Sequence, residues 1–598
     1  MLQRAYSMKV SDLIFNYVAS LGVKHVFYLP GGGAMHLDDS LGYNKRLKPI
    51  CMLHEQACSI AAEAYARISG NFGVCVVTSG PGSTNAITGL VGAWLDGTPV
   101  IFISGQAKRA DLVNNQKIRQ FGIQEVNIVE LVKSVTKYAV QIQDPEMILY
   151  ELGKAIAIAR DGKPGPVWID VPLDIQASKV EEKNLRHYPV LFYTHECKDA
   201  DVMETIELLN KSKRPLVLLG HGIRQAKAIP EMQKLINKLH VPIMTTWNGV
   251  DLIEDSNPLF FGRPGAVGHR HANFIQQNAD FVLTIGTRLN LLSTGYDFGS
   301  FLQKAKHVMV EIDANEMKKC SVHPYLAVHA DAKSFLSKML ESSDKIKKKE
   351  RKEWWEYCKA MKKKYPLFIK EQIPAGQGIN TYDLVNSITD RMTGKDIFQF
   401  TSSGTGADIS MYSFRIKKGQ RAFLTKGLAS MGFDMSACIG SCLAGKGRRT
   451  VCITGDGGFL MNVQELATLK KLNLPIKIFI LCNEGYGMIY NSQVGNFKRL
   501  EGCTPDSGLP MPDIKSVVKG FKVKCFDLSD SRKLDKTVED VLGYDGPAIC
   551  AVKVYIGQKI LPRQTNYMKP DGQMASRPLE DMSPLLDRDE FEANLLKW

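Results

Sequence analysis

The chain has 598 residues, 44% hydrophobic and 23% charged, an ordinary soluble globular balance that at this length calls for about three or four domains rather than one core. The formal net charge of +14 raises nucleic acid as a partner, but much of it sits in Lys345 to Lys364, KIKKKERKEWWEYCKAMKKK, where acidic residues are mixed in; this reads as a solvated linker helix, so no nucleic acid is expected, and a basic surface favours acidic substrates or phosphates by steering. No run reaches about 18 consecutive apolar residues, so no membrane span is expected; the N-terminus MLQRAYSMKV has no apolar signal region; and the thirteen cysteines include no CxxC pair, with Cys438 and Cys442 lacking partners for a zinc set, as expected of small buried side chains in a reducing cytoplasm.

In chain order, Val10 to Leu21 is amphipathic, and His25 to Leu29 is a short strand ending at Pro30-Gly31-Gly32-Gly33. His54-Glu55-Gln56 opens a small-residue helix. Val74 to Val77 is a buried strand that runs into the turn Thr78-Ser79-Gly80-Pro81-Gly82, and Val100 to Ile103 is a third strand. Val167 to Pro172 is the last strand and exit turn of a doubly wound parallel sheet. This unit is placed at 1–178, followed by a polar, irregular linker to about Ala200. A second α/β unit, 200–342, carries strands at Pro215 to Leu219, Val241 to Thr245, Phe281 to Ile285 and Val308 to Ile312. A basic helical linker, 343–374, leads to a third unit, 375–556, with the rhythm of the first. The segment 557–598 reads as an irregular closing tail. The expected fold class is α/β, with three doubly wound parallel-sheet domains.

The stretch richest in chemistry runs from Thr450 to Met488. An apolar strand ends in Gly455-Asp456-Gly457-Gly458. Asn462 with Glu465 three residues on forms a capping-box pattern for a helix reaching about Leu472. A second apolar run, Ile476 to Cys482, ends at Asn483. Such a βαβ unit is right-handed with parallel strands, so Asp456 and Asn483 are expected together at the carboxyl ends of the sheet, where α/β folds bind ligands. A carboxylate, an amide oxygen and glycine-exposed backbone suit a hard Mg2+ or Ca2+ ion carrying a diphosphate.

GDGGF followed by CNEGYGM resembles the thiamine diphosphate (ThDP) motif, and the stretch looks most like the acetolactate synthase group of that family. The resemblance covers nearly the whole chain and implies pyrimidine-binding, central and diphosphate-binding domains in that order. It implies ThDP and Mg2+ as cofactors, with the metal held by Asp456, Asn483 and the carbonyl of Gly485. Gly455, Gly457, Gly458, Tyr486, Gly487 and Met488 belong to the same cofactor-binding stretch. LHEQACSIAAEAYAR resembles the segment that presents the cofactor-activating glutamate, here Glu55, which meets the aminopyrimidine. A carboxyl in an apolar interface can shuttle a proton there, so that a base stands beside the weakly acidic thiazolium carbon. TKGLASMG resembles the loop beneath the cofactor, with Leu428 in it and Met431 at the apolar wedge position. Gly404 matches a backbone contact to the pyrimidine. Gly31 and Gly32 match the turn facing the thiazolium, although PGGGAM carries one glycine more than the usual pattern. Gln124 matches a glutamine near the reacting carbons, and an exposed loop glutamine is the alternative reading. The two motif sets meet across a subunit boundary in this family, which implies a homodimer or homotetramer.

Departures from the pattern bear on the substrate. Ile123 stands where acetolactate synthases usually have Phe, and Ser492 where they usually have Trp; loss of two aromatic walls opens the acceptor side of the pocket. Thr287-Arg288-Leu289-Asn290, continuing to Tyr296, replaces the Arg-Phe-Asp-Asp-Arg pattern of flavin-binding relatives, so FAD is not expected. This variant looks like homologues that work on sugar nucleotides. The expected reaction is decarboxylation of a 2-oxo acid, pyruvate first, and transfer of the two-carbon unit to a keto sugar nucleotide. The alternatives are a second pyruvate as acceptor, giving acetolactate, and simple decarboxylation or carbon–carbon hydrolysis. A non-catalytic relative would have no reason to keep Glu55, Asp456 and Asn483 together.

Overall fold

A computed structural model describes residues 7–114, 116–189, 195–367, 373–374, 376–402 and 404–597. The expected boundary at 375 and residues 1–6 of the N-terminus lie outside the described residues.

The first sheet contains β1 (His25–Tyr28), β2 (Lys48–Cys51), β3 (Gly73–Val77), β4 (Val100–Gln106), β5 (Tyr138–Gln141) and β6 (Val167–Pro172), in the spatial order β2-β1-β3-β4-β6-β5. Every pair is parallel. The central strands β3, β4 and β6 are buried along their whole length, as a sheet covered by helices on both faces requires. The central sheet contains β7 (Pro215–Leu219), β8 (Ile243–Thr245), β9 (Phe281–Ile285), β10 (Lys306–Glu311) and β11 (Leu326–His329), in the order β8-β7-β9-β10-β11, again all parallel. The third contains β12 (Ile397–Gln399), β13 (Arg421–Phe423), β14 (Thr450–Gly455), β15 (Ile476–Cys482), β16 (Lys524–Leu528) and β17 (Ala548–Lys553), in the order β13-β12-β14-β15-β17-β16. Its pairs are parallel too. The first and third sheets therefore wind identically, and the three-sheet α/β architecture read from the sequence holds.

The first and third domains share one apolar core. The helix Glu55–Ser69 lies against the helix Phe433–Ala444 so closely that a Cβ on Gly440 would stand 2.0 Å from the Ala61 carbonyl oxygen. Only glycine permits that approach of two backbones. Cys438 and Cys442 are buried in this seam, as small side chains. Where all three domains meet, buried Arg67 donates to Asp96 at 3.1 Å and to Asn248 at 3.2 Å, and Arg421 donates to Asp251 at 2.8 Å and to the Arg67 carbonyl at 2.9 Å.

Two expectations need correction. The basic segment forms a helix, Lys352–Lys364, but it is not a solvated linker. Trp354, Cys358 and Met361 recur at helical spacing on one buried face, and the Trp354 indole donates to the Pro215 carbonyl at 2.9 Å. The lysines occupy the other face, so the apolar stripe decides the placement. The tail is also more ordered than expected: it forms the hairpin Asn566–Met568 with Met574–Ser576 and the helix Arg588–Ala593. It docks on the central domain, where Arg270 donates to the Pro584 carbonyl at 2.6 Å and Asn273 to the Leu579 carbonyl at 2.8 Å. Among the described residues no helix is long and apolar enough to cross a membrane.

Candidate active site

The third domain brings one set of site residues together. β14 and β15 pair with Gly455 opposite Leu481, so the strands end nearly level. Asp456 follows one strand and Asn483 the other. One Asp456 carboxylate oxygen accepts the Gly457 N–H at 2.8 Å; the other accepts the N–H groups of Asn483 at 3.0 Å and Glu484 at 2.8 Å. The Asn483 amide oxygen accepts the Gly485 N–H at 3.1 Å. Burial pushes the Asp456 carboxyl up to about 6, against the pull of the surrounding backbone N–H groups. Glu484 turns the chain through a left-handed conformation, φ 57°. Two glycines make room: a Cβ on Gly485 would lie 2.3 Å from the Cys503 carbonyl oxygen, and one on Gly457 would lie 2.3 Å from the Tyr486 ring.

The apolar parts follow. The Met431 methyl stands 3.3 Å from the position a Gly457 Cβ would take, which puts the expected wedge residue directly beside the Asp456 turn. Leu428 is half-buried three residues earlier in the loop. Gly404 adopts φ 80° at the head of the helix Gly404–Ser413, and the Thr405 hydroxyl lies 3.4 Å from the position of a Gly487 Cβ. Gly455 and Gly458 flank the turn with no contact closer than 3.5 Å to an added Cβ. Met488 and Ser492 lie on the exposed face of the helix Gly487–Phe497.

The first domain assembles a second set. Glu55 is the first residue of its helix, and His54 caps it by accepting the Gln56 N–H at 3.0 Å. The Glu55 carboxylate is buried and accepts the Asn85 amide N–H at 3.0 Å. A Cβ on Gly31 would meet the Thr78 Cβ at 2.5 Å, and one on Gly33 would meet the Ser79 hydroxyl at 2.4 Å, whereas Gly32 has open space. Of the three glycines of PGGGAM, only the middle one is free of contact. Gln124 is exposed with φ 60°, and its carbonyl lies 2.8 Å from the position of a Gly80 Cβ. Ile123 beside it is 91% exposed.

No described hydrogen bond links Glu55 or Gln124 to Asp456 or Asn483 within one chain. Near the site, a side-chain bond between the two domains comes from a residue with a different expected role. Glu465 does not cap its own helix: the helix Glu465–Leu472 has no side-chain cap, and the Asn462 amide donates to the Gly432 carbonyl at 2.7 Å. The Glu465 carboxylate instead accepts the Leu53 N–H at 2.9 Å and the Thr468 hydroxyl at 2.6 Å. The capping-box reading fails because that backbone donor, brought in by the fold, takes the carboxylate. Sequence reasoning also missed Asn85, the last residue of the short helix Pro81–Asn85, and Asp434, whose carboxylate accepts the Thr401 hydroxyl at 2.8 Å and the Ser402 N–H at 2.9 Å behind the Asp456 turn.

A cavity of about 380 Å3 lies elsewhere, between the first and central domains, lined among others by Asp96, His221, Trp247, Arg288 and Glu311. Among the described residues no group of three His, Cys, Asp or Glu side chains could hold a metal ion. The set at the β14–β15 ends is of another kind: one carboxylate, one amide oxygen and a glycine carbonyl, all hard oxygen donors. That set fits Mg2+, with Gly455 free of any contact within 4 Å and Gly458 meeting nothing closer than 3.5 Å, so that the flanking backbone is open to a diphosphate.

Three regions of the chain match models of one protein family. Residues 8–131 match "Thiamine pyrophosphate enzyme, N-terminal TPP binding domain", residues 202–339 the central domain of that family, and residues 404–552 its C-terminal TPP binding domain. The chain is 30% identical to a probable acetolactate synthase large subunit of Methanococcus aeolicus over 88% of each chain. It is 27% identical to the acetolactate synthase isozyme 1 large subunit of Escherichia coli (strain K12), covering 92% of this chain and 95% of that one. It is 30% identical to the chloroplastic acetolactate synthase 1 of Zea mays, covering 93% and 86%.

Proposed function

Since the chain belongs to the thiamine pyrophosphate enzyme family and resembles acetolactate synthases, with ThDP and Mg2+ as its cofactors, we propose that it is a carboligase that decarboxylates a 2-oxo acid, pyruvate first, and passes the two-carbon unit to the carbonyl of a keto sugar nucleotide. When bound, ThDP supplies the electron sink for that chemistry. In this reading Asp456, Asn483 and the Gly485 carbonyl hold the metal, Met431 supports the cofactor from below, and Glu55 exchanges a proton with its pyrimidine. Gln124 orients the carbonyl of the reacting substrate through its amide. Asn85 holds the Glu55 carboxylate in place.

Each chain contributes half of two sites in this account, and a second copy completes them. Both half-sites carry exposed apolar side chains: Leu53, Phe121 and Ile123 around the first, Met461, Ile489 and Phe497 around the second. Exposed apolar side chains gathered beside a half-site favour an interface there.

The observation that favours a large acceptor is the pair Ile123 and Ser492, smaller side chains than the aromatic rings that the group usually places there. The names of the relatives favour a second reading, pyruvate as acceptor and acetolactate as product. Product analysis separates them. With labelled pyruvate and a panel of keto sugar nucleotides, the account expects label in a branched sugar and little acetolactate from pyruvate alone. Efficient acetolactate formation, undiminished by any keto sugar, would overturn the acceptor assignment.

A further inference from the structure

The geometry points to Glu465 as a positioning residue for Glu55: a buried carboxylate of the third domain holds the main chain two residues before the helix that begins with Glu55, and so fixes where the Glu55 side chain is aimed. The inference rests on the proton-exchange role proposed above for Glu55.

Three features carry it. First, Glu465 is fully buried, and burying a carboxylate is costly unless its oxygens are satisfied. Both are: one accepts the Leu53 N–H and the other the Thr468 hydroxyl. Second, the bond is long-range, joining residues 412 positions apart across the seam between two domains. Third, the donor is a main-chain group at the entrance to the helix that begins with Glu55, so the carboxylate fixes the course of the backbone there. Leu53, His54 and Glu55 are consecutive. With Leu53 N–H tied to Glu465 and the His54 ring capping the helix at Gln56 N, the path of the chain into the first helical residue is determined on both sides. Asn85 then fixes the far end of the Glu55 side chain at 3.0 Å. A first-turn glutamate favoured by its own helix dipole explains an acidic residue at 465, but not its aim at another domain.

The test compares Glu465→Ala, Glu465→Gln and Thr468→Val with wild type and Glu55→Gln. Two quantities are read: amide hydrogen exchange of the peptide covering Leu53 to Gln56 in the cofactor-free protein, and the rate at which the thiazolium C2 proton of bound ThDP exchanges with solvent. Glu465→Ala is expected to lose amide protection at Leu53 and to slow C2 exchange ten- to a hundredfold, while Glu465→Gln, which keeps an acceptor oxygen, retains most of both. Thr468→Val, a milder change that frees one oxygen, is expected to fall between them and remains decisive if the alanine variant does not fold. Wild-type amide protection and C2 exchange in Glu465→Ala or Thr468→Val, or a glutamine variant as slow as alanine, would overturn the inference. Wild-type C2 exchange in Glu55→Gln would instead overturn the role of Glu55 on which it rests.

Discussion

Asp456 and Asn483 stand 27 positions apart in sequence, yet the Asp456 carboxylate accepts the Asn483 backbone N–H at 3.0 Å. The bond ties the end of one central strand to the end of its neighbour. It uses the backbone of Asn483 and leaves the side-chain amide to act separately. Asn483→Ala is therefore expected to keep the fold, with unchanged far-ultraviolet circular dichroism, and to weaken the Mg2+ dependence of ThDP binding by at least about tenfold. An unchanged Mg2+ midpoint in a fluorescence titration would remove Asn483 from the metal set.

The glycines of the two half-sites should not be equivalent. Gly485→Ala would drive a Cβ to 2.3 Å from a backbone carbonyl, which cannot swing away, and Gly31→Ala would meet Thr78 at 2.5 Å. Each is expected to lower stability by about 1–3 kcal/mol. Gly32→Ala meets nothing within 4 Å and should lie within about 0.5 kcal/mol of wild type. Denaturant melts of the three variants check the order; an equal loss at Gly32 would contradict the packing.

Asn85→Ala removes the one described donor to the Glu55 carboxylate. Hydrogen bonds to charged groups contribute about 1.5–3 kcal/mol, so kcat is expected to fall by about ten- to a hundredfold if the bond matters most in turnover. ThDP affinity should change less. A steady-state comparison with Glu55→Gln, which should abolish turnover with the fold intact, gives the scale; full activity in either variant would count against the assigned roles.

The basic helix supplies a test of stability rather than catalysis. Trp354 is 2% exposed and hydrogen-bonded to the first strand of the central domain. Trp354→Ala is expected to cost about 3–5 kcal/mol in that domain, whereas Lys359→Ala on the exposed face should be nearly neutral. Thermal melts that show the two variants alike would restore the reading of a solvated linker.

The parts of the fold that could be read from sequence are those where burial writes a continuous apolar run: β3, β4, β9 and β15 needed nothing more. Among the strands that escaped, Lys48–Cys51, Tyr138–Gln141, Leu326–His329, Arg421–Phe423 and Lys524–Leu528 lie at sheet edges, while Ile397–Gln399 and Ala548–Lys553 are interior strands of the third sheet that the sequence reading left without ranges. At an edge one side meets solvent or a loop, and sequences such as KPIC and YAVQ lose the run. The juxtaposition of Asp456 and Asn483 was legible because both residues lie within one βαβ unit of fixed handedness. The Glu465–Leu53 clamp was not, because it depends on two domains folding against each other, and local spacing favoured a capping box. Asn85 carried a signal only as the end of the short helix that follows the turn from Thr78 to Gly82.

The most direct measurement of the central claim is calorimetric titration of ThDP into the purified protein, with and without Mg2+, for wild type and Asp456→Ala. The account predicts Mg2+-dependent binding to wild type and its loss in Asp456→Ala, at an unchanged folded signal. Binding of ThDP to Asp456→Ala with wild-type affinity and Mg2+ dependence would contradict it.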